Sequence, residues 1–301
     1  MILQRLKCFT RIIDERFEDL DRKRWKSILY RDFSAGLIVA MTAIPMAMGF
    51  AIAMGLRPEQ GIIAGALACI VGRTFGGSKY QVYGPTAAFI PVVAGLMAKY
   101  GESGGGTFAQ GHGFLVLVSL IAGLILIAMG LLGAGKYAKL VPNSIIVGFT
   151  VGIAIVIAMS NSGEALGISL GLKGGIVPKL QTIISQIDTA NWYAFGIALL
   201  TFLMTRNLLK VSVFIPAPLL ALGVATGLVA WVFPEKGITL VKDRFGEIPT
   251  NFWSFTPPVL PEMSPSVMVD IAFFVFAIVF VSAVESVLCS SMADRLADNR
   301  K

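Results

Sequence analysis

Charge is what this sequence has least of. Only 14% of its 301 residues are Asp, Glu, Lys or Arg, against 55% hydrophobic, and the mean hydropathy is +0.77. Soluble domains carry about a quarter charged residues, so this chain cannot coat a water-facing surface of its size. A soluble enzyme and a disordered chain are both excluded. Cysteine is scarce too: Cys8, Cys69 and Cys289 are odd in number and far apart. That excludes a disulfide scaffold and leaves small buried hydrophobes as the reading. The single histidine, His112, lies in a Gly-rich stretch with no second ligand, so it is expected to be solvated and no metal site is expected. Paired carboxylates and a catalytic triad are also missing, so neither enzymatic activity nor a cofactor is expected.

Abundant glycine (32) and methionine (12) fit a polytopic all-α membrane protein with closely packed helices. The net charge of +7 is not a nucleic-acid signature, because its distribution is lopsided along the chain. Nine of the 25 Lys and Arg residues precede residue 32, interleaved with Asp14, Glu15, Glu18, Asp19 and Asp21. Residues 1–31 therefore read as a cytoplasmic, partly amphipathic leader, too long and too acidic for the n-region of a secretory signal.

A membrane-spanning helix needs about 20 mostly apolar residues. Eight apolar runs qualify or nearly qualify: 33–54, 61–71, 85–98, 114–133, 143–159, 192–204, 211–233 and 267–292. The second, third and sixth are short. With the N-terminus inside, the short inside loops hold Arg73, Lys79, Lys136, Lys139, Arg206 and Lys210 and no acid. Adding the leader and a tail at 293–301 puts 18 basic residues inside against 7 outside, with nine acids outside from Glu59 to Asp270. Only this register satisfies the positive-inside rule, which supports eight spans in a plasma-membrane protein with a cytoplasmic N-terminus. Residues 160–190 read as re-entrant or interfacial, with Gly171, Gly174 and Gly175 among their glycines. Residues 234–266 read as a long Pro-rich outer loop.

Several positions interrupt these helices. The pairs Gly61/Gly65, Gly148/Gly152 and Gly223/Gly227 predict close backbone packing. The stretch Gln81-Val82-Tyr83-Gly84-Pro85-Thr86-Ala87 is extended in character, then meets Gly-Pro and a short apolar helix. Proline suits a first helical position because its missing N–H would be unpaired there anyway. Too few residues remain for a full crossing, so the helix is expected to start within the membrane. Its first N–H groups, those of Thr86 and Ala87 included, then present the positive end of the helix dipole to an anion. Such discontinuous helices are typical of secondary transporters. Pro45 is expected to break or kink the first span. Glu285 lies well inside the eighth span, where an ionisable group costs several kcal/mol unless paired or hydrated. It is a candidate proton carrier, Na⁺ ligand or helix-orienting group. Residues Gly72 to Lys79 superficially resemble a phosphate loop, but Lys and Ser are out of order and no strand precedes them; an inside loop is expected.

Taken together, Asp32-Phe33-Ser34-Ala35-Gly36 with Ala43-Ile44-Pro45-Met46-Ala47-Met48, Gly76-Gly77-Ser78 followed by Val82-Tyr83-Gly84-Pro85-Thr86-Ala87-Ala88-Phe89, and Glu285-Ser286-Val287-Leu288 with Ala293-Asp294 resemble the sulfate permease (SulP) family of anion transporters. The resemblance runs from about residue 30 to the end. It implies two inverted repeats of seven membrane segments, with the anion held between the N-termini of the third and tenth half-helices beside the first and eighth segments. Carried onto this chain, it places Pro45, Met46, Gly84, Pro85, Thr86, Ala87, Glu285 and Ser286 near the anion, with Glu285 coupling to H⁺ or Na⁺. Many relatives have Gln where Met46 stands. Residues 32–292 would then hold the first repeat plus the eighth segment, without most of the second repeat or the STAS domain common in the family. The expectation is a secondary transporter of a small anion, sulfate first and C4-dicarboxylate or bicarbonate next, embedded in the lipid bilayer and truncated as it stands. The alternatives are a non-transporting subunit that needs a homodimer mate or a separate C-terminal half, and, more remotely, an anion channel.

Overall fold

The computed structural model describes residues 25–76, 81–134, 143–168, 176–212, 215–238, 240–246, 257–259 and 264–298. Residues 1–24 of the leader, Gly77 to Lys79, Lys136, Lys139, Gly171, Gly174, Gly175 and the last three tail residues lie outside the described residues. Among the described residues every regular element is helical, and each of the eight expected spans corresponds to a helix.

In chain order these are α1 (Trp25–Ala53), α2 (Pro58–Phe75), a 3₁₀ turn (Ala87–Phe89) running into α3 (Ile90–Tyr100), α4 (Phe108–Leu132) and α5 (Asn143–Ala165). The chain continues through α6 (Ile176–Ser185), α7 (Trp192–Val211), α8 (Ala217–Trp231), the short α9 (Val241–Phe245) and α10 (Pro265–Asp298). Helices α1, α4, α7 and the Pro265–Ser290 part of α10 are long and apolar enough to cross a membrane, while Ala87–Tyr100 and α8 are shorter apolar helices.

Several boundaries move. The leader is expected to end at residue 31, but Trp25 to Arg31 already belong to α1. Pro45 sits inside that 29-residue helix without ending it. Helices α2 and α7 reach 18 and 20 residues, because Arg73 and Thr74, or Arg206, Asn207 and Lys210, stop the apolar run but not the helix. Gly72 to Phe75 are therefore helical rather than loop. His112 is likewise on α4, stacked on Phe108 at 5.9 Å, rather than in an open loop.

The chain divides into two compact units. One comprises the described residues of 66–154 and 253–301. Here α3 packs against both α4 and α10. Its Ile90, Val93, Leu96 and Met97 are buried, as are Phe114, Val118 and Ala122 of α4 and Phe274, Ile278 and Val281 of α10. The one-turn spacing of these residues gives each helix an apolar stripe. Helix α4 starts with a capping box, in which the Thr107 hydroxyl accepts from Gln110 N–H and the Gln110 side chain accepts from Thr107 N–H.

The other unit comprises residues 20–65 and 155–252. In it α7 packs on α8, and α8 on α1. Helix α1 closes with a Schellman motif: Leu56 N–H donates to Ala51 O at 2.9 Å and Gly55 N–H to Ile52 O at 3.0 Å. The positive φ of 77° this requires falls on Gly55. The chain turns directly into α2, whose Gly61 lies so close to α1 that a Cβ there would sit 2.2 Å from Ala47 O. Of the expected small-residue pairs, this is the one with a demonstrated close approach. Gly148, Gly152, Gly223 and Gly227 have nothing within 4 Å of an added Cβ.

The difference is testable. Gly61→Ala is expected to cost about 1–3 kcal/mol by overpacking, read as a lower midpoint in thermal unfolding in detergent. Gly223→Ala, with open space and better helix propensity, should leave the midpoint unchanged or raised. Equal tolerance of both would refute the packing assignment.

Candidate functional site

The helix that begins at residue 87 is short for reasons written in its sequence. Residues 81–86 are not helical, and β-branched Thr86 has extended dihedrals of φ −129° and ψ 140°. The next helical bonds would need an N–H from residue 91 to Ala87 O, but residue 91 is proline. The turn closes one residue tighter instead, with Ile90 N–H donating to Ala87 O. The proline placed in the tolerant first turn is thus Pro91, not Pro85. Pro85 lies just before the N-cap, which is Thr86. From Ala87 to Tyr100 the helix is roughly 21 Å long at about 1.5 Å per residue, short of a hydrocarbon core of about 30 Å.

At this helix start two of the expected site elements meet. The Thr86 hydroxyl donates to Glu285 Oε1 across 199 residues of sequence, in a part-buried setting. The same oxygen accepts from Ala88 N–H at 3.3 Å, capping the first turn. A hydroxyl carries one hydrogen, so while Glu285 accepts it Thr86 cannot also donate to a guest. The Ala87 N–H has no acceptor within its own helix and lies at the positive end of the dipole. Gly84 and Ser286 are exposed, and Pro85, Ala87 and Glu285 are half-buried. Pro45 and Met46 lie on α1 in the other unit, where Met46 is exposed.

The other end of the short helix is tied to the same partner. Tyr100 donates to Asp270 Oδ2, and Lys99 Nζ pairs with that oxygen at 2.5 Å. Asp270, assigned to an outer loop by charge counting, is on α10. The two ties show that α3 and α10 run antiparallel, joined at points roughly 21 Å apart on one helix and 22 Å on the other. Interhelical hydrogen bonds in membranes average only about 0.6 kcal/mol. Their importance is therefore more in register than in stability.

Sequence reasoning did not foresee two features. One is the Lys99–Tyr100–Asp270 cluster, whose members are far apart in the chain. The other is the seat of Tyr83 against Gly72 and Gly76. The spacing of those two glycines matches the three pairs already noted and was the available signal.

Comparison with known proteins gives a consistent family. The model of the sulfate permease family matches residues 29–300. YvdB of Bacillus subtilis (strain 168), provisionally named a sulfate transporter, is 33% identical over 88% of this chain and 48% of its own length. The bicarbonate transporter BicA of Picosynechococcus sp. (strain ATCC 27264 / PCC 7002 / PR-6) is 29% identical over 88% of this chain and 46% of its own. Sulfate transporter 4.1, chloroplastic, of Arabidopsis thaliana is 28% identical over 78% of the chain and 34% of its own. The chain thus spans about half or less of these relatives' length. Among solved structures, the transmembrane domain of a cyanobacterial bicarbonate transporter, BicA, has the same fold, with a TM-score of 0.62 at 22% identity over 87% of this chain and 70% of that one.

The hydroxyl bridge makes a specific forecast. Thr86→Val removes both the cap and the bond to Glu285 and should destabilise by about 1–2 kcal/mol, whereas Thr86→Ser should be near neutral. In a double-mutant cycle with Glu285→Ala, which removes the acceptor, the two changes should be non-additive. Strict additivity of their unfolding midpoints would mean that the two side chains do not interact.

Proposed function

This chain belongs to the sulfate permease family, and on that premise we propose that it carries the anion-binding half-helix of a secondary transporter. Sulfate is the first candidate substrate, with C4-dicarboxylate and bicarbonate next. What carries the reading is the junction of Thr86 and Glu285 at the start of a helix too short to cross the membrane. The family places sulfate and bicarbonate transporters around this sequence, and the helix start offers donors where water is scarce. In this reading Gly84 and Pro85 bring the backbone to the site, Ala87 N–H faces the anion, and Ser286 lies beside it. Pro45 and Met46, on the first span, are carried by the family resemblance alone, and Met46 has no amide donor to offer.

Charge makes coupling necessary. Moving one elementary charge against 100 mV costs about 2.3 kcal/mol, so a dianion entering an inside-negative cell faces about 4.6 kcal/mol, more than three orders of magnitude in concentration ratio. Glu285 is the group proposed to take up H⁺ or Na⁺ and offset this. Its route to the anion is the Thr86 hydroxyl. When a proton or cation takes Oε1, the threonine hydrogen is released from Glu285 and becomes available to the anion. Binding of cation and anion then favour each other, as alternating access with symport requires.

The transporter is multi-pass, and the reading places it in the plasma membrane with the N-terminus cytoplasmic, on the distribution of its loop charges. It also assigns the opposing half-helix to a C-terminal half or to a second copy of the chain.

Radiolabelled sulfate uptake into proteoliposomes, with the protein made together with any C-terminal half its gene encodes, tests the proposal. Uptake should be driven by an inward H⁺ or Na⁺ gradient and saturable. Glu285→Gln should abolish the gradient dependence while leaving sulfate exchange measurable. Retained gradient dependence in Glu285→Gln would remove this residue from coupling, and absence of uptake of any of the three anions would remove the transporter reading.

A further inference from the structure

The non-helical residues 81–86 that lead into the short helix have no strand to pair with among the described residues, so something else must fix where that helix begins. A seat for one of them is present. A Cβ added to Gly72 would stand 2.3 Å from Tyr83 Cγ and 2.6 Å from its Cδ1. A Cβ added to Gly76 would stand 2.1 Å from Tyr83 Oη and 2.5 Å from its Cζ. The tyrosine ring therefore lies lengthwise over both glycines, from its Cβ end at Gly72 to its hydroxyl at Gly76. No other residue type at either position leaves room for the ring. The two glycines are four residues apart, Gly76 N–H donating to Gly72 O at 2.7 Å, so they form one continuous notch at the end of α2. This is the segment whose glycines and lysine superficially suggest a phosphate loop; two of its glycines, Gly72 and Gly76, receive an aromatic ring.

We propose that Tyr83, seated in the Gly72–Gly76 notch, is the positioning residue of the anion site, fixing where the first turn of the half-helix stands opposite Glu285. The proposal rests on the reading of the chain as an anion transporter. Tyr83 precedes Thr86 by three residues outside any helix, at most about 10 Å of chain with no regular hydrogen bonding to absorb an error. A shift at the ring is therefore passed on to Thr86 and Ala87. Misplacement by about 1 Å at a reacting or binding centre can cost as much as about 100-fold. In this proposal the notch acts on the anion only through the placement of the first turn, so its removal should change affinity and leave the translocation rate largely intact.

The test is sulfate uptake by the full-length protein in proteoliposomes, measured across sulfate concentration for a set of variants. Tyr83→Ala and Gly72→Ala should each raise the half-saturating concentration by about 10-fold or more, with the maximal rate changed less than about twofold. Tyr83→Phe, which keeps the ring, should stay near wild type. The double variant Gly72→Ala/Tyr83→Ala should be less impaired than the two single effects combined, since the added methyl then meets only the Cβ of residue 83 and no ring. An unchanged half-saturating concentration in Tyr83→Ala, alongside lost gradient dependence in Glu285→Gln, would overturn the notch while leaving the transport reading intact. Unchanged uptake in both would overturn the two together. If Tyr83→Ala does not fold, Tyr83→Leu replaces it with the same expectation, and wild-type half-saturation in that variant likewise overturns the proposal.

Discussion

A single threonine hydrogen, held between the start of a half-helix and a carboxylate on another helix, is the constraint around which this molecule is arranged. Thr86 cannot cap its own turn, satisfy Glu285 and bind a guest all at once. A ligand that takes Glu285 Oε1 therefore alters what Thr86 offers. Two neighbouring sites that share one donor are coupled without a large rearrangement, and the coupling is reciprocal in free energy.

The surrounding structure keeps that junction in place. Pro91 limits how the first turn can close, and Thr86 itself is held in the extended region. Buried Ile90, Leu96 and Val118 are fully enclosed, fixing α3 against its neighbours by close packing. In lipid such packing, rather than the hydrophobic effect, has to hold helices together. Tyr100 and Lys99 fix the far end to Asp270, so the short helix cannot slide along α10 without breaking an ion pair. The charged cluster and the first turn stand about 21 Å apart along α3, at opposite ends of the short helix.

Much of this was legible in the sequence. Each apolar run became a helix, because in a bilayer hydropathy and backbone satisfaction point to the same structure. The half-helix was legible from Gly84 and Pro85 and from the shortness of the apolar run that begins there. Boundaries were less so: Arg73 and Arg206 end hydropathic runs, yet a side chain's polarity does not break a helix whose backbone bonds are intact. His112 was misplaced for a related reason, since neighbouring glycines suggested a loop where the Thr107 cap starts a helix. Contacts between distant residues, Tyr100 with Asp270 and Tyr83 with Gly72, have no periodic signature at all. Glu285 was identified as an anomaly of burial, but its partner emerged only from the fold.

Whether an anion occupies the start of the half-helix decides the matter. Selenate, a sulfate analogue whose selenium scatters anomalously, locates it directly in crystals of the protein grown in a selenate-containing medium. We expect an anomalous peak within hydrogen-bonding reach of the backbone N–H of Ala87, weakened when competing sulfate is added. A peak elsewhere, or a helix that continues unbroken through residues 81–86 with no peak at its first turn, would contradict the assignment.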